Sequence, residues 1–130
     1  MKPTVVRSLE LDWQPLVESG VNTIGLYVKP LRYDEASSRA PTFLLKFDPG
    51  ASYPNHVHPE GEEVYVLEGD VRFGADQLKA GDYLYTPPGA MHPVFSKNGC
   101  TLFFIVPKEV EITGDKNRGY ASEESAGSRK

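Results

Sequence analysis

Apolar residues alternate with polar ones along much of the chain, and no long stretch repeats at the three-to-four-residue spacing of an amphipathic helix. In residues 42–47 (TFLLKF), Phe43, Leu45 and Phe47 fall on one face of an extended segment. Residues 63–68 (EVYVLE) are the most strand-like run, ended by a turn at Gly69 and Asp70, with a short strand at 71–73. The alternation of Leu9, Leu11 and Trp13 predicts a half-buried strand stopped by Pro15, after a possible start at 4–6. A second strand is expected over 21–28, closed by Pro30, and a charged hairpin loop over 33–39. Further strands are expected at 83–86, 93–96 and 100–106, the last apolar enough to be covered on both faces. Turn chemistry separates them at Asp48-Pro49-Gly50, over 76–82, at Pro87-Pro88-Gly89 and at Lys97-Asn98-Gly99. The total is about eight to ten short strands and no helix, an all-β chain.

Length and composition narrow this further. A chain of 130 residues fits one domain. We place that domain at 1–113 and read 114–130, which is polar and without periodicity, as a flexible tail. Eleven prolines and twelve glycines suit a protein of many turns. A net charge of −4 with no basic cluster argues against nucleic acid and anionic membranes as partners. No apolar run approaches a membrane span, and Arg7, Glu10 and Asp12 interrupt any signal-peptide core, so a cytoplasmic protein is expected. The single cysteine, Cys100, lies in the run CTLFFIV, where a buried apolar role outweighs a reactive thiol.

The chemistry concentrates in residues 50–69, GASYPNHVHPEGEEVYVLEG. In an extended chain His56 and His58 point the same way, with Val57 turned from them, so two imidazoles reach one ion. A carboxylate from Glu62 or Glu63 adds a third ligand; Pro59-Glu60-Gly61 interrupts the strand, so parity does not choose between them. His92, delivered by the turn at 87–89, is a fourth candidate. Glu60, Glu63 and Glu68 also suit solvated charges on turns and outer strand faces. Tyr65, Tyr83 and Tyr85 suit packing or the mouth of a barrel, and Tyr53, close before His56, is a candidate wall of the site.

Two short motifs resemble those of the cupins. Gly50, His56, His58, Glu62 and Gly69 match the first, and its six-residue spacing before the last glycine selects Glu62 over Glu63. Gly81, Pro87, Gly89 and His92 match the second, with Ser96 where the family usually has asparagine. The resemblance implies a small jelly-roll β-barrel holding one divalent metal ion on His56, His58, Glu62 and His92. Within the cupins the wording from 58 to 103 is most similar to the ChrR-type branch. That branch includes the metal-binding domain of zinc-dependent anti-sigma factors, and small cupin dioxygenases are of similar design.

Three imidazoles and one carboxylate, without thiolate, suit Fe(II), Mn(II), Ni(II), Co(II) or Zn(II). The expected function is a non-haem, dioxygenase-type enzyme acting on a small apolar carbonyl or phenolic compound, held by the apolar barrel interior. The alternatives are a zinc-binding regulatory or sensor module and a non-catalytic metal- or ligand-binding protein. The residues before the first motif read as barrel strands, which lowers the sensor reading. A homodimer is expected, with Trp13 and the N-terminal leucines at its contact.

Overall fold

The computed structural model describes residues 1–113, so the expected tail at 114–130 lies outside the described residues. It is an all-β jelly-roll barrel, built of β1 (Gln14–Pro15), β2 (Leu26–Asp34), β3 (Arg39–Phe47), β4 (Ser52–Val57), β5 (Glu62–Phe73), β6 (Asp76–Lys79), β7 (Tyr83–Thr86), β8 (Met91–Phe95), β9 (Cys100–Ile105) and β10 (Glu111–Ile112). The only helical element among the described residues is one 3-10 turn, Ser8–Glu10. All pairings are antiparallel, in the order β1-β2-β3-β9-β5-β8-β4-β10, with β6 and β7 also on β5.

The inward positions follow the period of two. Leu45 and Phe47 of β3, Val64, Val66, Val71 and Phe73 of β5, Val94 of β8, and Leu102 and Phe104 of β9 form one buried cluster. On β9 the burial alternates, with Cys100, Leu102 and Phe104 buried and Thr101, Phe103 and Ile105 half-buried. The cover expected on both faces of this strand is therefore complete on one face only. Burial raises the Cys100 thiol to about 11, consistent with an inert core residue.

Several boundaries differ from the sequence expectation. Leu9 is 95% exposed and residues 9–13 form no strand, because no neighbouring strand offers them a ladder until β1 meets β2. Residues 4–6 likewise lie outside every strand. Pro15 is the last residue of β1, where it pairs with Tyr27, whereas Pro30 does not end β2. The strand beginning at Leu26, not 21, runs through Pro30 with a bulge after it. Since β1 pairs only with Tyr27 and Val28, no strand among the described residues flanks Pro30 on that side, where a missing N–H costs little. The hairpin turn is shorter than the loop expected at 33–39, because Asp34 organises it by accepting from the Ala36 N–H (3.2 Å) and the Ser37 hydroxyl (2.7 Å).

The largest difference is in β5, which does not stop at Gly69. Its first half pairs with β7 and β9 and its second half with β6 and β8, so one strand joins both walls of the barrel. A bulge between Val66 and Glu68 and a positive φ of 82° at Gly69 supply the bend. A Cβ at Gly69 would overlap the Gly99 carbonyl and lie 2.7 Å from Cys100 Cα, so the position demands glycine sterically as well as conformationally. Residues 76–79, expected as a turn, form β6 by pairing with this second half.

Candidate metal centre

The sequence-predicted site residues converge because three strand ends meet at one level of the barrel. His56 of β4 stands directly opposite His92 of β8 in the ladder. His58 continues the parity of β4 one step beyond its end, and both rings are buried. Glu62 is the first residue of β5, after the turn in which the Gly61 N–H donates to the His58 carbonyl. That turn restarts the alternation so that Glu62, Val64 and Val66 face inward, while Glu63 and Tyr65 face out. Glu62 is 2% exposed, and Glu63 accepts from the Tyr83 hydroxyl at 2.8 Å on the outer face. Glu60 and Glu68 are exposed. Tyr65, Tyr83 and Tyr85 also lie on this outer face, not in the packing or the mouth, because β7 pairs alongside β5 with Tyr65 opposite Tyr83 and Glu63 opposite Tyr85.

The polar atoms point at a common centre. His58 Nε2 is 2.7 Å from Glu62 Oε1 and 3.2 Å from His92 Nε2, and His92 Nε2 is 3.7 Å from Glu62 Oε2. His56 Nδ1 lies 2.8 Å from the Pro54 carbonyl, which can only accept, so the proton sits on Nδ1 and the Nε2 lone pair is free. Burial pushes the His56 pKa down to about 3 and that of His92 to about 4, so both are neutral bases at neutral pH, as ligands must be. Burial raises the carboxyl pKa of Glu62, opposed by its hydrogen bond to His58.

These residues can hold a metal ion. One ligand atom from each of His56, His58, Glu62 and His92 lies within 4.8 Å of all the others. Donors about 2.0–2.2 Å from a shared ion stand no more than about 4.4 Å apart, so a small contraction completes the set. Among the described residues Glu62 Oε2 is buried with no hydrogen-bond partner, a cost that a cation would remove. Nitrogen and oxygen donors without thiolate suit a divalent transition metal.

His56, His58 and Glu62 of the cluster line a cavity of about 280 Å³. Its walls are apolar, with Phe43, Leu45, Phe73, Val94 and Phe104 among them. Tyr53, a candidate wall residue in the sequence, is in place: its ring meets the His56 ring edge-on, with centroids 5.0 Å apart. Sequence reasoning missed Glu18, Arg39 and Glu109, which also line the cavity. Glu18 accepts from the Tyr53 hydroxyl at 2.5 Å, a contact across 35 residues that carries no local signal. Arg39 was expected in a loop; as the first residue of β3 it donates to the Val106 carbonyl at 2.9 Å. Ser96, the departure from the asparagine of the cupin motif, is fully buried away from the cluster. It donates to the Asp70 carbonyl at 2.7 Å and its backbone pairs with Gly50 and Ala51, which ties β8 to the turn before β4.

Comparison with known proteins adds a family and a set of similar folds. The family described as ChrR Cupin-like domain matches residues 1–107. Among curated proteins none matches significantly. A candidate acetylacetone dioxygenase from Methylibium petroleiphilum PM1 superposes with a TM-score of 0.76 at 21% identity, over 98% of this chain and 94% of that one. The acetylacetone dioxygenase of Acinetobacter johnsonii gives 0.70 at 18% identity, over 98% and 93% of the two chains. The polyketide cyclase RemF of Streptomyces resistomycificus gives 0.68 at 18%, over 94% and 89%. At these identities the likeness is one of fold.

Proposed function

The chain belongs to the ChrR Cupin-like domain family, and from that footing we propose a metal-dependent oxidoreductase of the dioxygenase type, acting on a small apolar carbonyl or phenolic compound. The observation that carries this reading is the position of the ligand cluster. It opens on an apolar cavity of substrate size and is not sealed by protein, as a purely structural metal site would be. Two neighbours in fold are named for dioxygenase action on acetylacetone, a small diketone, which fits the scale and apolarity of this cavity.

A bound divalent ion such as Fe(II) would supply Lewis acidity and an electron path to dioxygen. The protein supplies the rest. His56, His58 and His92 present neutral imidazoles, and the Pro54 carbonyl fixes the orientation of the first. Glu62 contributes the only carboxylate of the set. Phe43, Phe73 and Phe104 keep water from the cavity and give an apolar substrate its binding energy.

The test is oxygen consumption by anaerobically Fe(II)-loaded protein offered β-diketones and hydroxyaryl ketones. Uptake that His92→Ala abolishes supports the enzyme. The ChrR name of the family favours a second reading, a zinc-binding regulatory module. No uptake across the panel, together with tight zinc binding and a zinc-dependent protein partner, would establish that reading instead. No helix among the described residues is long and apolar enough to cross a membrane, and we retain a cytoplasmic location as our reading.

The homodimer also remains our proposal. Uncovered apolar residues of the N-terminal segment, with Val5 69% and Leu9 95% exposed, support it. Trp13 contributes less than expected, because Lys29 and Lys46 cover its ring within the chain. Sedimentation of the parent and of a Val5→Asp, Leu9→Asp variant tests it: a dimer that the variant splits is expected, and a parent monomer at micromolar concentration refutes it.

A further inference from the structure

The cavity lining carries two chemically different sets of polar groups. One is His56, His58 and Glu62 of the ligand cluster. The other is acidic or phenolic: Glu18 from the segment after β1, Tyr53 of β4, and Glu109 from the segment before β10. Most of the remaining lining is aliphatic and aromatic. Tyr53 links the two, with its ring edge against His56 and its hydroxyl on Glu18.

Tyr53 has one proton to donate, and it goes to Glu18 Oε1 at 2.5 Å. Each carboxylate oxygen has two lone pairs, so after that bond Glu18 still has most of its acceptor capacity, and the Tyr53 oxygen keeps its own. Glu109 lies close enough to raise the Glu18 pKa further, after burial, which means that two negative charges face one region. Arg39 lines the same cavity with the opposite charge, but one of its guanidinium nitrogens is committed to the Val106 carbonyl. Among the described residues Glu18, Tyr53 and Glu109 therefore supply this set with acceptors, and Arg39 is the one cationic side chain in the lining.

We propose that Glu18, oriented by Tyr53, is a specificity-determining residue that receives a hydrogen-bond-donating group of the substrate, preferably an ammonium, on the cavity wall beyond Tyr53 from the metal ligands. The substrate class is then a small apolar molecule with two heads, an oxygen function for the metal and an amine for Glu18. The assignment of the first head rests on the function proposed above; that of the second does not. Tyr53 acts here as a positioning residue, because it holds the carboxylate in place and does not itself bind the amine.

The test uses the purified full-length protein without added metal, so that it reads the Glu18 group without a metal-bound head. 2-Phenylethylamine, 2-phenylethanol and 3-phenylpropionate share an aromatic body and differ in their head. Their dissociation constants are measured by NMR titration at about pH 8, where carboxylates are ionised even when moderately raised. We expect the amine to bind about tenfold more tightly than the alcohol, the gain of one charge-assisted hydrogen bond, and the carboxylate to bind most weakly. Glu18→Gln should reduce the amine-to-alcohol ratio to less than about threefold while leaving the alcohol unchanged. Tyr53→Phe should leave alcohol binding unchanged and weaken the amine by less than Glu18→Gln does, since it releases the carboxylate from its place but keeps the carboxylate. That outcome separates recognition by Glu18 from a general loss of structure. Failure of all three compounds to bind at millimolar concentration, the carboxylate binding best, or a ratio unaffected by Glu18→Gln would each overturn the proposal. Zinc binding, followed separately by calorimetry, reports on the metal cluster: its failure alone would refute the function proposed above and leave the role of Glu18 standing.

Discussion

Replacing Glu62 with glutamine should change stability in opposite directions with and without metal. In the metal-free protein Glu62 is 2% exposed, and its Oε2 has no hydrogen-bond partner among the described residues. Leaving a buried polar atom unpaired costs about 1–3 kcal/mol, more for a charged group. Its Oε1 bond to His58, 2.7 Å long, can be kept by either end of a glutamine amide. Glu62→Gln therefore removes a poorly compensated charge at little loss, and the metal-free variant should gain on the order of 1 kcal/mol. For a domain of this size that raises Tm by about 3–5 °C.

With metal the sign reverses. A ligand present at 1,000 times its Kd stabilises the native state by about 4.1 kcal/mol. If loss of the carboxylate weakens binding about 100-fold, about 2.7 kcal/mol of that disappears. Thermal denaturation in chelator and in excess zinc or nickel reads both effects in one experiment. Glu63→Gln is the control: its side chain lies on the outer face against the Tyr83 hydroxyl, and it should shift stability by no more than about 0.5 kcal/mol in either condition. A Glu62→Gln variant that is less stable in chelator, or as strongly stabilised by metal as the parent, would refute the reasoning. So would a Glu63→Gln variant that loses the metal response.

Other perturbations follow from the same geometry. His56 and His92 have pKa values of about 3 and about 4, below the usual histidine value, so between about pH 6.5 and 4 the unfolded chain binds more protons than the folded one. Metal-free stability should therefore be lost as pH falls through that range, by on the order of 1–3 kcal/mol per pH unit, and denaturant titrations at several pH values measure it. Glu62, whose carboxyl is raised, works the other way: it contributes stability at low pH that is lost as pH rises above about 4.5, so Glu62→Gln should steepen the acid-side loss. Gly69→Ala should cost at least about 2 kcal/mol, since it combines a positive φ with a Cβ driven into the Gly99 carbonyl; a chemical-denaturation midpoint close to that of the parent would show that β5 bends elsewhere.

Much of the fold was legible because strand parity is a property of the chain itself. The shared face of Phe43, Leu45 and Phe47 is borne out: all three line the cavity, Leu45 and Phe47 buried and Phe43 half-buried, stacked on Phe104 at 5.2 Å. The shared direction of His56 and His58 needed only a period of two, and the spacing of the motif around Gly69 was enough to prefer Glu62. Tertiary structure decided what no local pattern encodes. Gly69 read as the end of a strand because glycine so often marks a turn, yet pairing with β6 and β8 on its far side carries β5 through it. Pro30 read as a stop, but the strand continues because no strand among the described residues flanks it on the side that would need the missing N–H. Leu9, Leu11 and Trp13 alternate correctly and still form no strand, since a ladder requires a second chain segment at the right distance. The register that sets His92 opposite His56, and the fold of the N-terminal segment that brings Glu18 onto Tyr53, depend on contacts between residues far apart in sequence. Periodicity assigns a side chain to a face; only the closing of the barrel determines which faces meet.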